Sequence, residues 1–360
     1  MARDPYVAAT QARSLLGVPL MRHGRLVGLV VLENDLGAGV FSEAVASVAS
    51  IIAGQAAVSL ENARLFEAQR RRSEAFARFV PRPFLEHMGH SQIEDVRLGE
   101  AVQQDITVMF ADLRGSTSLS ETMGVSDYFG LINAFLAQVT PAIGEAGGFV
   151  DGFTGDGCRA IFIGPADAAV AAAVAMQRRL RRYNRTRRDD GLVALEMGIG
   201  VHTGPALLGT IGVADRMATT VIGDTVNTAS RLEGLTKFYR APVLISRATR
   251  DRLRDAAAFS IREVGRDQVR GHQAALSVHE VIDARPRRER AELGATVYDF
   301  GRALEGYFAR AFAEAEAGFA HCLERAPGDI TARHYRDLAR QHARDGVPEG
   351  WDGVNRREAK

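Results

Sequence analysis

The sequence predicts an α+β chain. Three observations carry this: buried strand-like runs lead into or out of Asp-Gly turns, helix-periodic stretches follow them, and a hairpin-like strand pair precedes a long helical segment near the N-terminus.

In chain order, Ser14–Leu20 and Arg25–Glu33 read as two strands joined by the turn-like Arg22-His-Gly24. A long helix follows from Glu43 through Leu65 toward Phe79, with Ser42 as its cap. Along it Val48, Ile52, Gln55, Ser59, Asn62 and Phe66 recur at spacings of three and four, a seam of mixed polarity. That seam fits a parallel two-helix stalk. It fits equally a helix packed on its own strands, and one helix can do both. The prolines of Phe76-Ala-Arg-Phe-Val-Pro-Arg-Pro-Phe84 stop the helix. Ile106-Thr-Val-Met-Phe110 is a buried strand, Arg114-Gly-Ser-Thr117 opens a helix, and Cys158–Ile163 is a second buried strand. Thr225–Glu233 is helical, with Asp224 as its N-cap. After Ile282 the charged Arg285-Pro-Arg-Arg-Glu-Arg290 is a linker into further helices, where Ala315, Phe319 and Pro327 match half of a tetratricopeptide-type hairpin. A single such unit makes no solenoid, so it is expected to pack on the rest of the chain or on a partner subunit. Trp351 is expected to anchor the tail by burial.

Composition is that of an ordinary globular protein: 360 residues, 46% hydrophobic, 25% charged, net charge +1. Nothing global steers it to nucleic acid. The basic run Arg178–Arg188 ends a helix whose C-terminal dipole favours cations, so no nucleic-acid partner is expected. Two distant cysteines, Cys158 and Cys322, exclude a disulfide framework and point to a reducing, cytoplasmic setting. No apolar run reaches 18 residues, so neither a membrane span nor a signal peptide is expected.

Chemistry concentrates at Asp112 in Phe110-Ala-Asp-Leu-Arg-Gly-Ser-Thr117 and at Asp156 in Phe153-Thr-Gly-Asp-Gly157. Taken singly, an Asp beside a Gly is more often a turn former or an N-cap. As a pair, one at the end of a strand and one in a tight turn, they offer oxygens to hard divalent cations of the kind that handle triphosphates. Backbone N–H groups at Gly115, Ser116 and Thr117 can cradle phosphate oxygens. Asn227 and Arg231, four apart on one helix face, suit a ribose and a phosphoryl group in a charged transition state.

In order and spacing, these motifs together with Gly198-Ile-Gly-Val-His-Thr-Gly204 and Gly223-Asp-Thr-Val-Asn-x-x-x-Arg231 resemble the catalytic domain of class III nucleotide cyclases. The resemblance runs from about Gln103 to Ile282, roughly half the chain. It implies a ferredoxin-like sheet with helices, and two Mg²⁺ or Mn²⁺ ions held by Asp112 and Asp156 with the Leu113 carbonyl. It further implies an active site shared by two subunits of a homodimer, Asn227 orienting the ribose and Arg231 at the phosphorus, with ATP as substrate. Residues Asp4–Phe66 resemble the second half of a GAF domain, which points to a truncated or late-starting chain and to an upstream sensory segment without a complete ligand pocket. The implied domains are 1–66 partial GAF, 67–101 transducer, 102–283 catalytic domain and 284–360 linker with a helical extension.

The departures concern the base. Gly152 stands where the family usually has a base-reading Lys, and Thr220 holds the second base-reading position. A lost charged donor is worth ~1.5–3 kcal/mol. Arg270 takes the place of a triphosphate-binding Lys and keeps its charge. Arg159 replaces a usual Met and has no role legible in the sequence, while His202 reads as structural. The expected reaction is ATP to 3′,5′-cyclic AMP and pyrophosphate. A guanylate or base-promiscuous cyclase, and a non-catalytic nucleotide-binding module, are the alternatives.

Overall fold

Residues Ser14–Arg22 (β1) and Arg25–Asn34 (β2) pair antiparallel around a two-residue turn at His23 and Gly24. Both turn residues have positive φ, 45° and 77°, the sense that matches the right-handed twist of the strands. The computed structural model describes residues 11–76, 80–213, 215–268 and 275–356, which fall in two compact units, Met1–Phe79 and Val80–Lys360.

In the first unit a helix, Glu43–Phe76 (α1), starts where Ser42 Oγ accepts the Val45 N–H at 3.4 Å. Ala53 and Ala57 bring the helix close to the hairpin, burying Val18 and Leu20. Arg22 Nε donates to Glu61 at 2.8 Å across the same contact. The seam from Val48 to Phe66 lies exposed on the remaining helix surface, so packing on the hairpin leaves it available. One helix among the described residues bears on the expectation of no membrane span. Over Glu43–Glu74, α1 is long and apolar enough to cross a bilayer by length and composition. The uncharged, alanine-rich stretch 44–60 gives it that character, while Ser, Gly and Gln interrupt the apolar run and the helix beyond Glu61 is charged.

The second unit opens with Arg82–His87 (α2), whose Phe84 is fully buried. There follow Ala101–Leu113 (β3), Ser116–Thr122 (α3), Val125–Val139 (α4), Pro141–Glu145 (α5), Phe149–Thr154 (β4), Gly157–Phe162 (β5), Ala166–Asp189 (α6) and Met197–Val213 (β6). These strands lie in the order β4-β5-β3-β6, all neighbours antiparallel. That is the ferredoxin-like arrangement of two interleaved β-α-β units. Arg216–Ile222 (β7) pairs with β6, and Asp224–Tyr239 (α7) follows. Val243–Ser246 (β8), followed by Arg247–Arg250 (α8), lies parallel to β6; Ile261–Gln268 (β9) and Ala275–Val281 (β10) extend the sheet antiparallel, in the order β8-β10-β9.

Strand alternation divides the side chains between two faces. Met109, Ala111 and Leu113 of β3 bury against α4 and α6 through Phe135, Val170 and Met176. Ala169, Ala172 and Ala173 are buried and small enough to seat α6 directly on the sheet. On the opposite face Ile106 and Val108 meet Phe84, Leu208, Val221 and Ala229. In the basic run that ends α6, Arg179 pairs with Glu145 at 2.6 Å, Arg181 donates to the Ala284 carbonyl and Arg187 Nε to that of Val193.

Beyond β10 come Arg287–Gly294 (α9), Val297–Phe308 (α10), Phe312–Arg325 (α11) and Ile330–Asp345 (α12). Ala315 and Phe319 are buried, with Phe300 and Tyr335, in the core of the last three helices. Trp351 packs edge-on against Tyr307, Phe312 and His342. The tail then bonds to β9: Gln268 N–H donates to the Asn355 carbonyl at 3.0 Å and Asn355 N–H to that of Arg266 at 2.8 Å. An outermost strand that would present unpaired backbone groups is thereby partly covered. Beneath it, buried Arg262 of β9 forks onto Glu280 of β10 and onto Asp329, which caps α12 by accepting from Thr331 and Ala332. Arg285 completes the network by donating to Glu280 at 2.6 Å. This ties the C-terminal helices to the sheet.

Candidate active site

Asp112 is the penultimate residue of β3 and Asp156 sits in the turn between β4 and β5. Gly155, with φ 67°, makes that turn. Gly157 allows the strands to close: a Cβ there would stand 2.6 Å from Asp112 Oδ1 and 2.5 Å from the Ala111 carbonyl. The two carboxyl groups therefore feel one another. Burial first, then the Asp156 charge, holds the Asp112 carboxyl above the usual carboxylate range, with Lys237 pulling the other way. Asp156 Oδ2 is buried with no hydrogen-bond partner among the described residues. Two mutually repelling carboxylates, one with an orphaned oxygen, fit a divalent cation. Among the described residues no group of three or more His, Cys, Asp and Glu is placed to hold a metal ion, so other oxygens must complete the shell. Leu113 ends β3 beside the pair, and its carbonyl is one candidate.

Gly115, with φ 70°, turns the chain into α3, whose first residues are Ser116 and Thr117. Tyr128 of α4 lies close to Ser116; burial first, then the Asp156 charge, raises its phenol.

Two glycines position α7. A Cβ on Gly200 would stand 2.1 Å from the Glu233 nitrogen and 2.5 Å from the Ala229 carbonyl oxygen, and one on Gly198 would meet Thr236 Oγ1 at 2.2 Å. Only bare backbone lets the helix lie this close to β6. Asp112 pairs with Gly198 across the β3–β6 ladder, so the flank of α7 that carries Glu233 and Lys237 comes beside the carboxylates. Glu233 is absent from the sequence-predicted site. Burial first, then Asp112, pushes its carboxyl up to about 7, and its Oε1 is buried without a partner among the described residues. Its sequence signal was its place on the same helix as Asn227 and Arg231, six and two residues on. The glycine spacing that places it acts only through tertiary contact.

Asn227 and Arg231 both lie on α7, Asn227 exposed and Arg231 half-buried with Nη1 enclosed and unpartnered among the described residues. At 100° per residue, Arg231 is roughly 160° around the axis from Glu233. It faces away from the flank beside the aspartates of its own chain. His202 Nδ1 lies 2.7 Å from Ser246 Oγ, and burial lowers the ring to about 4, which leaves it a neutral structural partner.

The positions expected to read the base are separated. Thr220 is half-buried on β7, opposite Gly209 of β6. Gly152 lies just after a bulge in β4 and faces Arg159 of β5. Arg270 lies outside the described residues.

Residues 100–281 match the model of the adenylate and guanylate cyclase catalytic domain, and residues 2–60 match that of the GAF domain. An adenylate cyclase of Anabaena cylindrica is 39% identical over 222 residues, covering 60% of this chain and 44% of that protein. The terminal-differentiation-specific adenylate cyclase of Dictyostelium discoideum is 34% identical over 259 residues, covering 70% of this chain and 12% of that protein. The chain thus spans less than half the length of either relative. The structure of a bacterial light-regulated adenylyl cyclase superposes with a TM-score of 0.52 at 22% identity, over 66% of this chain and 68% of that one, a likeness of fold.

Proposed function

Since the chain belongs to the adenylate and guanylate cyclase catalytic-domain family, we propose that it is an adenylate cyclase, converting ATP to 3′,5′-cyclic AMP and pyrophosphate at sites shared between two copies of the chain. The observation that carries this is the division of the site residues within one chain. Asp112 and Asp156 lie beside one flank of α7, while Asn227 and Arg231 project from another. One subunit supplies the aspartates and its partner the amide and guanidinium.

Asp112 and Asp156, with the Leu113 carbonyl, would hold two Mg²⁺ or Mn²⁺ ions. When bound, such ions neutralise triphosphate charge and favour ionisation of the ribose 3′-hydroxyl. Backbone N–H groups at Gly115, Ser116 and Thr117 receive phosphate oxygens. Asn227 bonds the ribose and fixes the 3′-oxygen in line with the α-phosphorus. Arg231, with a donor enclosed and unpartnered, stabilises the charge that develops there as pyrophosphate leaves. Arg270 suits the outgoing phosphates. Thr220 lies on the base side. In the same reading residues 1–66 are a partial GAF domain, 67–101 a transducer, 102–283 the catalytic domain and 284–360 a linker and helical extension. The exposed seam on α1 would form a parallel stalk in the dimer.

The test is cyclic AMP formed from ATP with Mn²⁺ by the purified chain, followed by mixing two inactive variants, Asp112→Ala and Arg231→Ala. Heterodimers retain one intact site and recover activity. No recovery in verified heterodimers refutes the shared site, and comparable turnover of GTP refutes the choice of base.

A further inference from the structure

Opposite Gly152 the sheet presents a side chain with no part in the chemistry above. Arg159 pairs with Phe110 across the β3–β5 ladder, so it projects on the sheet face of Phe110 and Asp112. Across the β4–β5 ladder it pairs with Gly152. Among the described residues, chain neighbours aside, a Cβ on Gly152 would find only Arg159 within 4 Å, its Nη2 at 3.9 Å. The guanidinium thus extends along the space that a side chain at 152 would fill.

Its orientation is fixed by Asp151, the extra residue of the bulge. Arg159 Nε donates to Asp151 Oδ2 at 2.6 Å, and Nη2 donates to the same oxygen. The Asp151 side chain is fully buried while that of Arg159 is 22% exposed. Asp151 Oδ1 is enclosed and unpartnered among the described residues. A carboxylate is costly to bury, and the effect is visible: burial raises the Asp151 carboxyl, with Arg159 opposing. A merely solvated surface arginine needs no such anchor. With Nε and Nη2 turned onto one oxygen, the Nη1 end of the fork is directed away from Asp151. It offers N–H donors at a fixed height above the face that carries Asp112.

We infer that Arg159, held by Asp151, is the purine-recognition side chain of this protein, donating to a ring-nitrogen acceptor of adenine through space left open by Gly152. This rests on the adenylate cyclase reading and deepens it. A donor-only guanidinium takes N1 or N7 of adenine and leaves the exocyclic amine to another group.

The experiment first measures turnover of ATP by the parent dimer with Mn²⁺, which by itself tests the cyclase reading. The parent is then compared on ATP, 1-deaza-ATP and 7-deaza-ATP, and Arg159→Met on the same three substrates, with pyrophosphate inhibition as the probe that lacks a base. The parent loses at least tenfold in kcat/KM with one deaza analogue. Arg159→Met raises KM for ATP about tenfold, equivalent to ~1.4 kcal/mol, loses the preference over that analogue and keeps its pyrophosphate inhibition constant and its dimeric state. The double variant Gly152→Lys with Arg159→Met regains the ATP KM by supplying a cation from the facing strand. If the parent turns over all three nucleotides equally, the inference is overturned whether or not any variant folds. It is likewise overturned if Arg159→Met leaves KM within twofold of the parent, or weakens ATP and pyrophosphate in step.

Discussion

Replacing Gly200 with alanine tests whether the close seating of α7 on β6 sets the geometry of Asn227 and Arg231. The added methyl would stand 2.1 Å from the Glu233 nitrogen, 2.5 Å from the Ala229 oxygen and 2.7 Å from the Leu232 carbonyl carbon, all backbone atoms of α7. No side-chain rotation relieves such contacts. Ordinary separation requires the helix to move outward by about 1 Å. Overpacking of this kind costs roughly 1–3 kcal/mol. For a unit of this size that lowers the unfolding midpoint by about 2–10 °C. The displacement carries Asn227 and Arg231 with it, and a misplacement of about 1 Å costs on the order of 100-fold in rate. Thermal unfolding, and initial rates at saturating ATP, read the two effects separately. A Gly200→Ala protein with its midpoint within 1 °C of the parent and undiminished turnover would refute the argument that bare backbone at 200 holds the helix in register.

Asp156→Asn removes the charge that helps raise the Asp112 carboxyl, so the metal-free protein should melt no lower than the parent, while the rise in midpoint with Mn²⁺ disappears and cyclase rate falls roughly 100-fold or more. Asp329→Ala strips one partner from buried Arg262 and removes the cap of α12, and urea unfolding should show a loss of about 3–5 kcal/mol. His202 and His279 are both lowered to about 4 by burial, so the unfolded chain takes up protons that the native chain refuses. Their contribution is present above pH about 6.5 and lost as pH falls to about 4, roughly 3 kcal/mol per ring. Glu233, pushed up to about 7, acts in the opposite sense, weakening the fold as pH rises from about 4.5 to 7. A His279→Gln protein should therefore lose stability less steeply between pH 6.5 and 4, and an unchanged slope would refute the assignment.

Much of the fold was legible because its signals are local. The hairpin around Arg22-His-Gly24, the cap at Ser42 and the strands at Ile106 and Cys158 follow from residue type and spacing. The apolar character of α1 was not, because Ser, Gly and Gln are interspersed among the apolar residues of 44–60 and it shows only as an average over a window. Asp112, Asp156, Asn227 and Arg231 were legible as candidates, each within a motif of fixed spacing. What was not legible was the carboxylate that joins them. Glu233 joins the carboxylates only because Gly198 and Gly200 lower α7 onto β6, a contact between residues more than thirty apart. Arg159 had no reading in the sequence because its partner and its open space lie on the facing strand, and a bulge sets which residue faces it.

By itself the sequence determined the α+β class, the candidate site residues and the absence of a side chain at 152. Those are properties of residue identity and short-range order. Tertiary structure decided which flank of α7 meets the aspartates, which carboxyls are pushed toward neutrality by burial, and what occupies the space above Gly152. Distance, dielectric and facing direction exist only once strands pair and a helix is laid across them.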